Sequence, residues 1–120
     1  MNIIGILFTL TVSMIVIHVA ISFMSFRYLT IPRSVGIVIA PYESAYYMLL
    51  FLETLVNNYA LLLLIIIFVF LVIHVGGTYL YLERRLSNLS INHDYLRYYG
   101  YYELVEVLFL IFIAVFLSNS

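Results

Sequence analysis

The stretch APYESAYYMLLFLETLVNN, residues 40–58, decides how many times this chain crosses a membrane. It carries a proline, two glutamates and two adjacent asparagines, whereas the segments on either side of it are almost continuously apolar. If it forms a helix through the bilayer, the chain has four spans. If it lies at the membrane surface, the chain has three.

The composition of the whole chain requires a lipid environment. Of its 120 residues, 66% are hydrophobic and 9% are charged, and the mean hydropathy is +1.15. Soluble domains carry roughly 25% charged residues and about 45–50% apolar ones. The formal net charge of −1 offers no basic surface for nucleic acid. Cysteine is absent, which excludes disulfides, thiolate metal sites and cysteine nucleophiles.

Three segments are predicted to cross the membrane: residues 3–26, 59–82 and 101–118. The first holds no formally charged residue, and as a helix it is about 36 Å long, more than the ~30 Å hydrocarbon core requires. A helix satisfies its own backbone groups in lipid, so we expect an all-α integral membrane protein with a single membrane domain over residues 1–120.

Two features favour an interfacial position for residues 34–58. On a helical wheel, Glu43, Thr54 and Asn57 share one half, as in a helix that lies in an interface or against a partner. Pro41 is expected to end the short apolar run before it. We therefore predict three spans with an interfacial amphipathic segment. The alternative of four spans places every arginine on one side, as the positive-inside rule prefers: Arg27, Arg33, Arg84, Arg85 and Arg97.

The tetrapeptide Pro41, Tyr42, Glu43 and Ser44 resembles the loop motif of NADH dehydrogenase subunit 3 of respiratory complex I, a family with bacterial as well as mitochondrial members. The segment YYGYYELVEVLFLIFIAVFL, residues 98–117, is similar to the third helix of that three-helix family. The chain departs from the family in its second helix. There the family's Phe-Asp-x-Glu falls on residues 70–73, and only the phenylalanine is kept.

The resemblance implies a small core subunit of complex I that is not catalytic alone but belongs to an NADH:ubiquinone reductase that translocates protons. It implies that Pro41, Tyr42, Glu43 and Ser44 form a loop at the quinone junction, with ubiquinone nearby and no cofactor bound directly. The implied partners are other subunits of the complex and lipid. The implied location is the mitochondrial inner membrane or, alternatively, a prokaryotic plasma membrane.

Four ionisable side chains are candidates for a proton path: His74, Glu103, Glu106 and Glu53. An ionisable group inside a span is expensive and faces protein or water, which makes it a candidate functional residue. Glu103 and Glu106 are three residues apart and therefore share one face of a helix.

Two other functions stay open. His18 and His74 each lie eight residues before the predicted end of a span, so in the four-span arrangement they lie at the same depth. They are then candidate ligands of haem b, in a haem- or quinone-binding anchor subunit of another redox complex such as succinate dehydrogenase. The remaining possibility is a structural membrane protein without redox function.

Overall fold

The computed structural model describes residues 2–27, 29, 32–82 and 93–119, and it contains no strand among them. The helices are α1, Ile3–Phe26; α2, Arg33–Val56; α3, Leu61–Leu82; and α4, His93–Ser118. Each is long and apolar enough to cross a membrane. The prediction of an all-α integral membrane protein is confirmed. The structure fits the four-span alternative better than the expected three spans.

The chain divides into two compact units, each built from two helices. The first helix pair consists of α1 and α4, and the second helix pair consists of α2 and α3.

The first helix pair is antiparallel and closely packed near Gly100. Ser22 Oγ donates to the carbonyl of Gly100 at 3.0 Å, and the rings of Phe26 and Tyr101 meet edge to face with centroids 5.0 Å apart. A Cβ at Gly100 would lie 3.0 Å from the Phe26 ring, so the absence of a side chain permits this approach. Small residues serve the same purpose in many membrane helix pairs.

One stripe of α1 is buried. Its members recur every three or four residues, the spacing of one helix face: Leu7, Thr11, Met14, His18, Ile21, Ser22 and Ser25. The remaining apolar side chains, such as Val16 and Phe23, are exposed and suited to lipid. The helix begins after Asn2, whose Oδ1 accepts from the Gly5 amide at 2.8 Å as an N-cap.

The last helix is longer than predicted. We expected a span beginning near residue 101, whereas α4 begins at His93. The added turns are part of the packed structure, because Leu96 and Gly100 are buried and lie four residues apart on one face. The predicted span 59–82 agrees closely with α3.

The second helix pair is also antiparallel, and a short turn joins its helices. Asn58 has a left-handed backbone (φ 54°), and the Tyr59 amide donates to the Thr54 carbonyl at 3.2 Å. This six-to-one hydrogen bond around a left-handed residue is the Schellman arrangement, in which asparagine is the usual substitute for glycine. The adjacent asparagines that interrupt the apolar sequence are thus the end of α2.

The prediction that Pro41 ends a helix is wrong, because α2 continues through it. Proline is tolerated inside membrane helices where side chains and neighbouring helices satisfy the local backbone groups. Pro41 removes the donor to the carbonyl of Ile37, four residues earlier. Beside the proline, the carbonyl of Ala40 accepts from Thr78 Oγ1 at 2.9 Å and lies 3.2 Å from Ser44 Oγ, which ties this turn of α2 to α3. Residues 41–44 are therefore helical, and the interfacial loop expected for them is not observed.

The polar half of the wheel faces protein along α2 as far as Thr54, whereas Asn57, just past the end of the helix, is exposed. Glu43, Tyr46, Tyr47, Leu50 and Thr54 are all buried, at helical spacing. Tyr47 stacks on Phe70 of α3 with ring centroids 5.7 Å apart. Of the two interpretations of this amphipathic pattern, an interface or a partner helix, the structure supports the partner helix.

Candidate functional site

The first helix pair encloses a cluster of three ionisable side chains, His18, Glu103 and Glu106, which we call the buried triad. His18 Nδ1 contacts Glu103 Oε2, and His18 Nε2 lies 3.0 Å from Glu106 Oε2. The side chains are 0%, 2% and 0% exposed, respectively. The spacing of three residues turns both carboxyl groups of α4 toward the same imidazole of α1.

The contacts of the buried triad constrain its charge. The contact between His18 Nδ1 and Glu103 needs one proton between its two atoms, and a second proton on Nε2 or on Glu106 favours the other contact, which is 3.0 Å long but lacks hydrogen-bond geometry. These can be held as an imidazolium between two carboxylates, or as a neutral imidazole with one protonated carboxyl group. Both forms carry a net charge of −1. One further positive charge neutralises the cluster, which matters because uncompensated charge is costly in the membrane interior.

The second helix pair encloses a simpler pair, Glu43 on α2 and His74 on α3. His74 Nε2 lies 3.4 Å from Glu43 Oε2, and the side chains are 8% and 12% exposed, respectively. His74 Nδ1 lies 2.8 Å from the carbonyl oxygen of Phe70. A carbonyl can only accept, so Nδ1 carries the proton in neutral His74 and Nε2 does not.

This tautomer leaves one exchangeable proton for the Glu43–His74 pair. The proton is held either by the Glu43 carboxyl group or by His74 Nε2 as part of an imidazolium. The pair is electrically neutral in both forms, which suits a site within a membrane span. The structure thus joins two candidates that the sequence analysis treated separately.

The surroundings of His74 hold its ring and its backbone in place. The ring centroid of Tyr47 lies 4.6 Å from that of the imidazole, and Tyr47 itself stacks on Phe70. Ser44 Oγ lies 3.0 Å from the His74 carbonyl and 2.7 Å from Thr78 Oγ1. These contacts fix the register of α2 against α3, and so place Glu43 opposite His74.

The other predicted site residues have different surroundings. Glu53 lies in the last turn of α2, where its Oε1 accepts from Asn57 Nδ2 at 2.7 Å. That contact is typical of a side chain that stabilises a helix end. Pro41 is exposed and Tyr42 is half-buried in α2.

The haem alternative meets a geometric obstacle. Both ring nitrogens of His18 face carboxyl oxygens, and those of His74 face Glu43 and the Phe70 carbonyl. Axial coordination of haem iron by either histidine requires that one of these protein oxygens be displaced. The geometry therefore favours carboxylate chemistry for both histidines.

Sequence reasoning found each of these residues singly but missed the buried triad as a unit. His18 and Glu103 are 85 residues apart, so their contact depends on which helices pair. The available signal was general: a lone histidine in an apolar span needs a polar partner on another helix. The Glu-x-x-Glu spacing in the last span offered two such partners on one face.

No family model, curated protein or solved structure matches the chain. The resemblance to subunit 3 of complex I is therefore not supported by these comparisons and stays a prediction. A function for the chain has to be inferred from the buried triad and the Glu43–His74 pair.

Proposed function

We propose that the protein is a small integral membrane subunit that transfers protons within the bilayer, with Glu43 and His74 as the transfer pair. One observation carries the proposal. His74 Nδ1 is committed to the Phe70 carbonyl, so Nε2 and the Glu43 carboxyl group share a single exchangeable proton. Ionisable side chains inside spans commonly mark proton relays.

The transfer step follows from this geometry. A proton that reaches the Glu43 carboxyl group moves to His74 Nε2, leaving a carboxylate beside an imidazolium. The return step restores the neutral imidazole and the carboxylic acid. The 3.4 Å separation is slightly longer than a normal N–H···O hydrogen bond. A small rotation of the flexible Glu43 side chain closes it, while the Phe70 carbonyl and the Tyr47 ring hold the imidazole in place and Ser44 holds the His74 backbone.

Proton flux in vesicles tests the proposal. The full chain is reconstituted into liposomes that contain a pH-sensitive dye, and an imposed potassium gradient with valinomycin drives proton entry. Wild-type protein should acidify the lumen faster than protein-free liposomes do. Glu43→Gln and His74→Gln should each lower the flux by about a hundredfold, the lower range for loss of a positioned proton-transfer group.

Glu53→Gln is the matched control, because it makes the same substitution in the same helix at a carboxyl group bonded to Asn57. It should leave the flux unchanged. The proposal is wrong if wild-type vesicles take up protons no faster than protein-free ones. It is also wrong if the Glu43 and His74 variants conduct like the wild type.

We also infer a second candidate, the membership in respiratory complex I that the tetrapeptide at residues 41–44 suggests. Its support is that Glu43, the acid of that motif, is buried and faces a histidine. Four helices suited to span a membrane depart from the three-helix pattern of that family. Affinity purification from native membranes should then recover the chain with a large NADH-oxidising flavin and iron–sulfur assembly. Recovery without such an assembly would contradict this candidate.

A further inference from the structure

We propose that the buried triad is a binding site for a divalent first-row transition metal ion. His18 supplies one imidazole nitrogen, and Glu103 and Glu106 each supply one carboxylate oxygen. This inference does not rest on the proton function, because it concerns other residues in the other helix pair.

The distances in the buried triad suit a metal ion. One donor atom from each of the three side chains lies within 4.8 Å of the other two. His18 Nε2 and Glu106 Oε2 are 3.0 Å apart. Ligand atoms bound tetrahedrally to Zn²⁺ at about 2.0–2.1 Å are roughly 3.3 Å from each other. Glu106 Oε2 is thus already close to ligand spacing from Nε2, and Glu103 has to turn from Nδ1 toward the same ion, for which the 4.8 Å limit on the donor separations leaves a short distance to cover.

The charge of the buried triad also favours a divalent ion. When the cluster holds an imidazolium between two carboxylates, it carries a net charge of −1. A divalent ion binds the neutral imidazole and two carboxylates, which together carry −2, and the complex is neutral. Binding releases one proton to solvent, so charge and atoms balance. Neutrality is a strong advantage for three side chains that are at least 98% buried within membrane helices.

The donor set determines the class of metal. Imidazole and carboxylate suit zinc, iron, manganese and cobalt, and the chain has no cysteine to provide a soft thiolate. Among these ions a site of this kind binds Zn²⁺ more tightly than Mn²⁺ or Fe²⁺. Three protein ligands leave a further coordination position for water or another small ligand, as in catalytic rather than structural zinc sites.

Metal titration of the purified full-length protein tests the proposal, with Co²⁺ and Zn²⁺ as the probes. In lipid nanodiscs, wild-type protein should bind one Co²⁺ per chain, with the visible absorption of a low-symmetry nitrogen and oxygen site. Zn²⁺ should displace the Co²⁺ and abolish the absorption. X-ray absorption at the zinc edge of this sample should show one imidazole among oxygen ligands. These measurements use the wild type, so they do not depend on the folding of any variant.

Variants then assign the ligands. His18→Gln and Glu106→Gln should each weaken Co²⁺ binding by more than about a hundredfold, beyond the 10–100-fold range for groups that only orient a ligand. Glu103→Gln should have a comparable effect. Glu53→Gln is the matched control, because its carboxyl group is bonded to Asn57 in the other helix pair, and it should bind Co²⁺ like the wild type. Circular dichroism confirms that each variant keeps its helices.

Three results would overturn the proposal: no stoichiometric binding to the wild type, no imidazole in the zinc absorption spectrum, or full binding to folded His18 and Glu106 variants. If the Glu43 and His74 variants lose proton flux and the wild type binds no metal, only the proposed proton function survives. If the wild type binds metal and those variants keep their flux, only the proposed metal site survives.

Discussion

Removal of one hydroxyl group from the second helix pair should lower the free energy of unfolding by an amount that the hydrogen bonds of that group predict. Thr78→Val keeps the β-branched shape of the side chain and deletes its hydroxyl. That hydroxyl donates to the Ala40 carbonyl at 2.9 Å and lies 2.7 Å from Ser44 Oγ. Both contacts join α3 to α2 beside Pro41, where the helical hydrogen-bond ladder is interrupted.

The expected loss can be worked out from these bonds. Hydrogen bonds between membrane helices average roughly 0.6 kcal/mol, so the loss of two costs about 1.2 kcal/mol. Ser44 Oγ recovers part of this, because it also lies 3.0 Å from the His74 carbonyl and 3.2 Å from that of Ala40. We therefore expect the free energy of unfolding to fall by about 1 kcal/mol, or about fivefold in the folding equilibrium.

Equilibrium unfolding in mixed micelles of increasing dodecyl sulfate content measures this change. Thr9→Val is the matched control, since the Thr9 hydroxyl is exposed and donates to Gly5 within its own helix at 3.0 Å. A double-mutant cycle with Ser44→Ala should give a coupling near 0.6 kcal/mol, the average for such bonds. The reasoning fails if Thr78→Val costs no more than Thr9→Val, or if the effects of Thr78→Val and Ser44→Ala simply add.

Three further outcomes follow from the same geometry. Gly100→Ala should lower the unfolding midpoint more than Gly77→Ala does. A Cβ at Gly100 lies 3.0 Å from a phenylalanine ring, whereas one at Gly77 has no neighbour within 4 Å among the described residues. Overpacking costs roughly 1–3 kcal/mol, so equal midpoints for the two variants would contradict this expectation. Cysteine introduced singly at Arg33 or at Asn57 should react with impermeant thiol reagents from opposite faces of sealed vesicles. Labelling of both positions from the same face would support the three-span arrangement instead. His18→Leu should lower the free energy of unfolding by about 3–5 kcal/mol, because it leaves two buried carboxyl groups without their partner. Leucine at all three positions of the buried triad should restore most of that loss. If the triple variant stays as unstable as His18→Leu, the triad itself stabilises the fold.

The helices that composition alone defines were predicted well. The span at residues 3–26 coincides with α1, because an uninterrupted apolar run has no alternative to a helix in lipid. The segment around Pro41 was misjudged because the sequence shows the missing amide but not the contacts that hold this turn of the helix against its partner. Thr78, which lies 38 residues away from Ala40, donates to the carbonyl beside the proline. No local pattern contains that information.

The candidate site was predicted residue by residue and not as an arrangement. His74, Glu103 and Glu106 were singled out because ionisable groups are expensive in a span. Their partners depend on helix pairing, which hydropathy leaves open. Equal depth in the four-span arrangement made His18 and His74 candidate haem ligands, and that stays a prediction. What the sequence did not show is that His18 contacts two carboxyl groups of α4 and that His74 lies opposite Glu43.

The two helix pairs should form in a fixed order, because their polar contacts differ in sequence separation. Ser44 and Thr78 are 34 residues apart and joined through a short turn, so α2 and α3 can pair as soon as both are inserted. His18 and Glu103 are 85 residues apart, so α1 can pair with α4 only after the last helix has been inserted. Contacts between distant residues carry a larger loop-closure cost and form later. Until α4 is inserted, His18 lacks the two carboxyl partners that this helix supplies. A chain truncated after residue 92 should therefore keep the Glu43–His74 pair and lose the metal site, which would separate the two proposed chemistries within one protein.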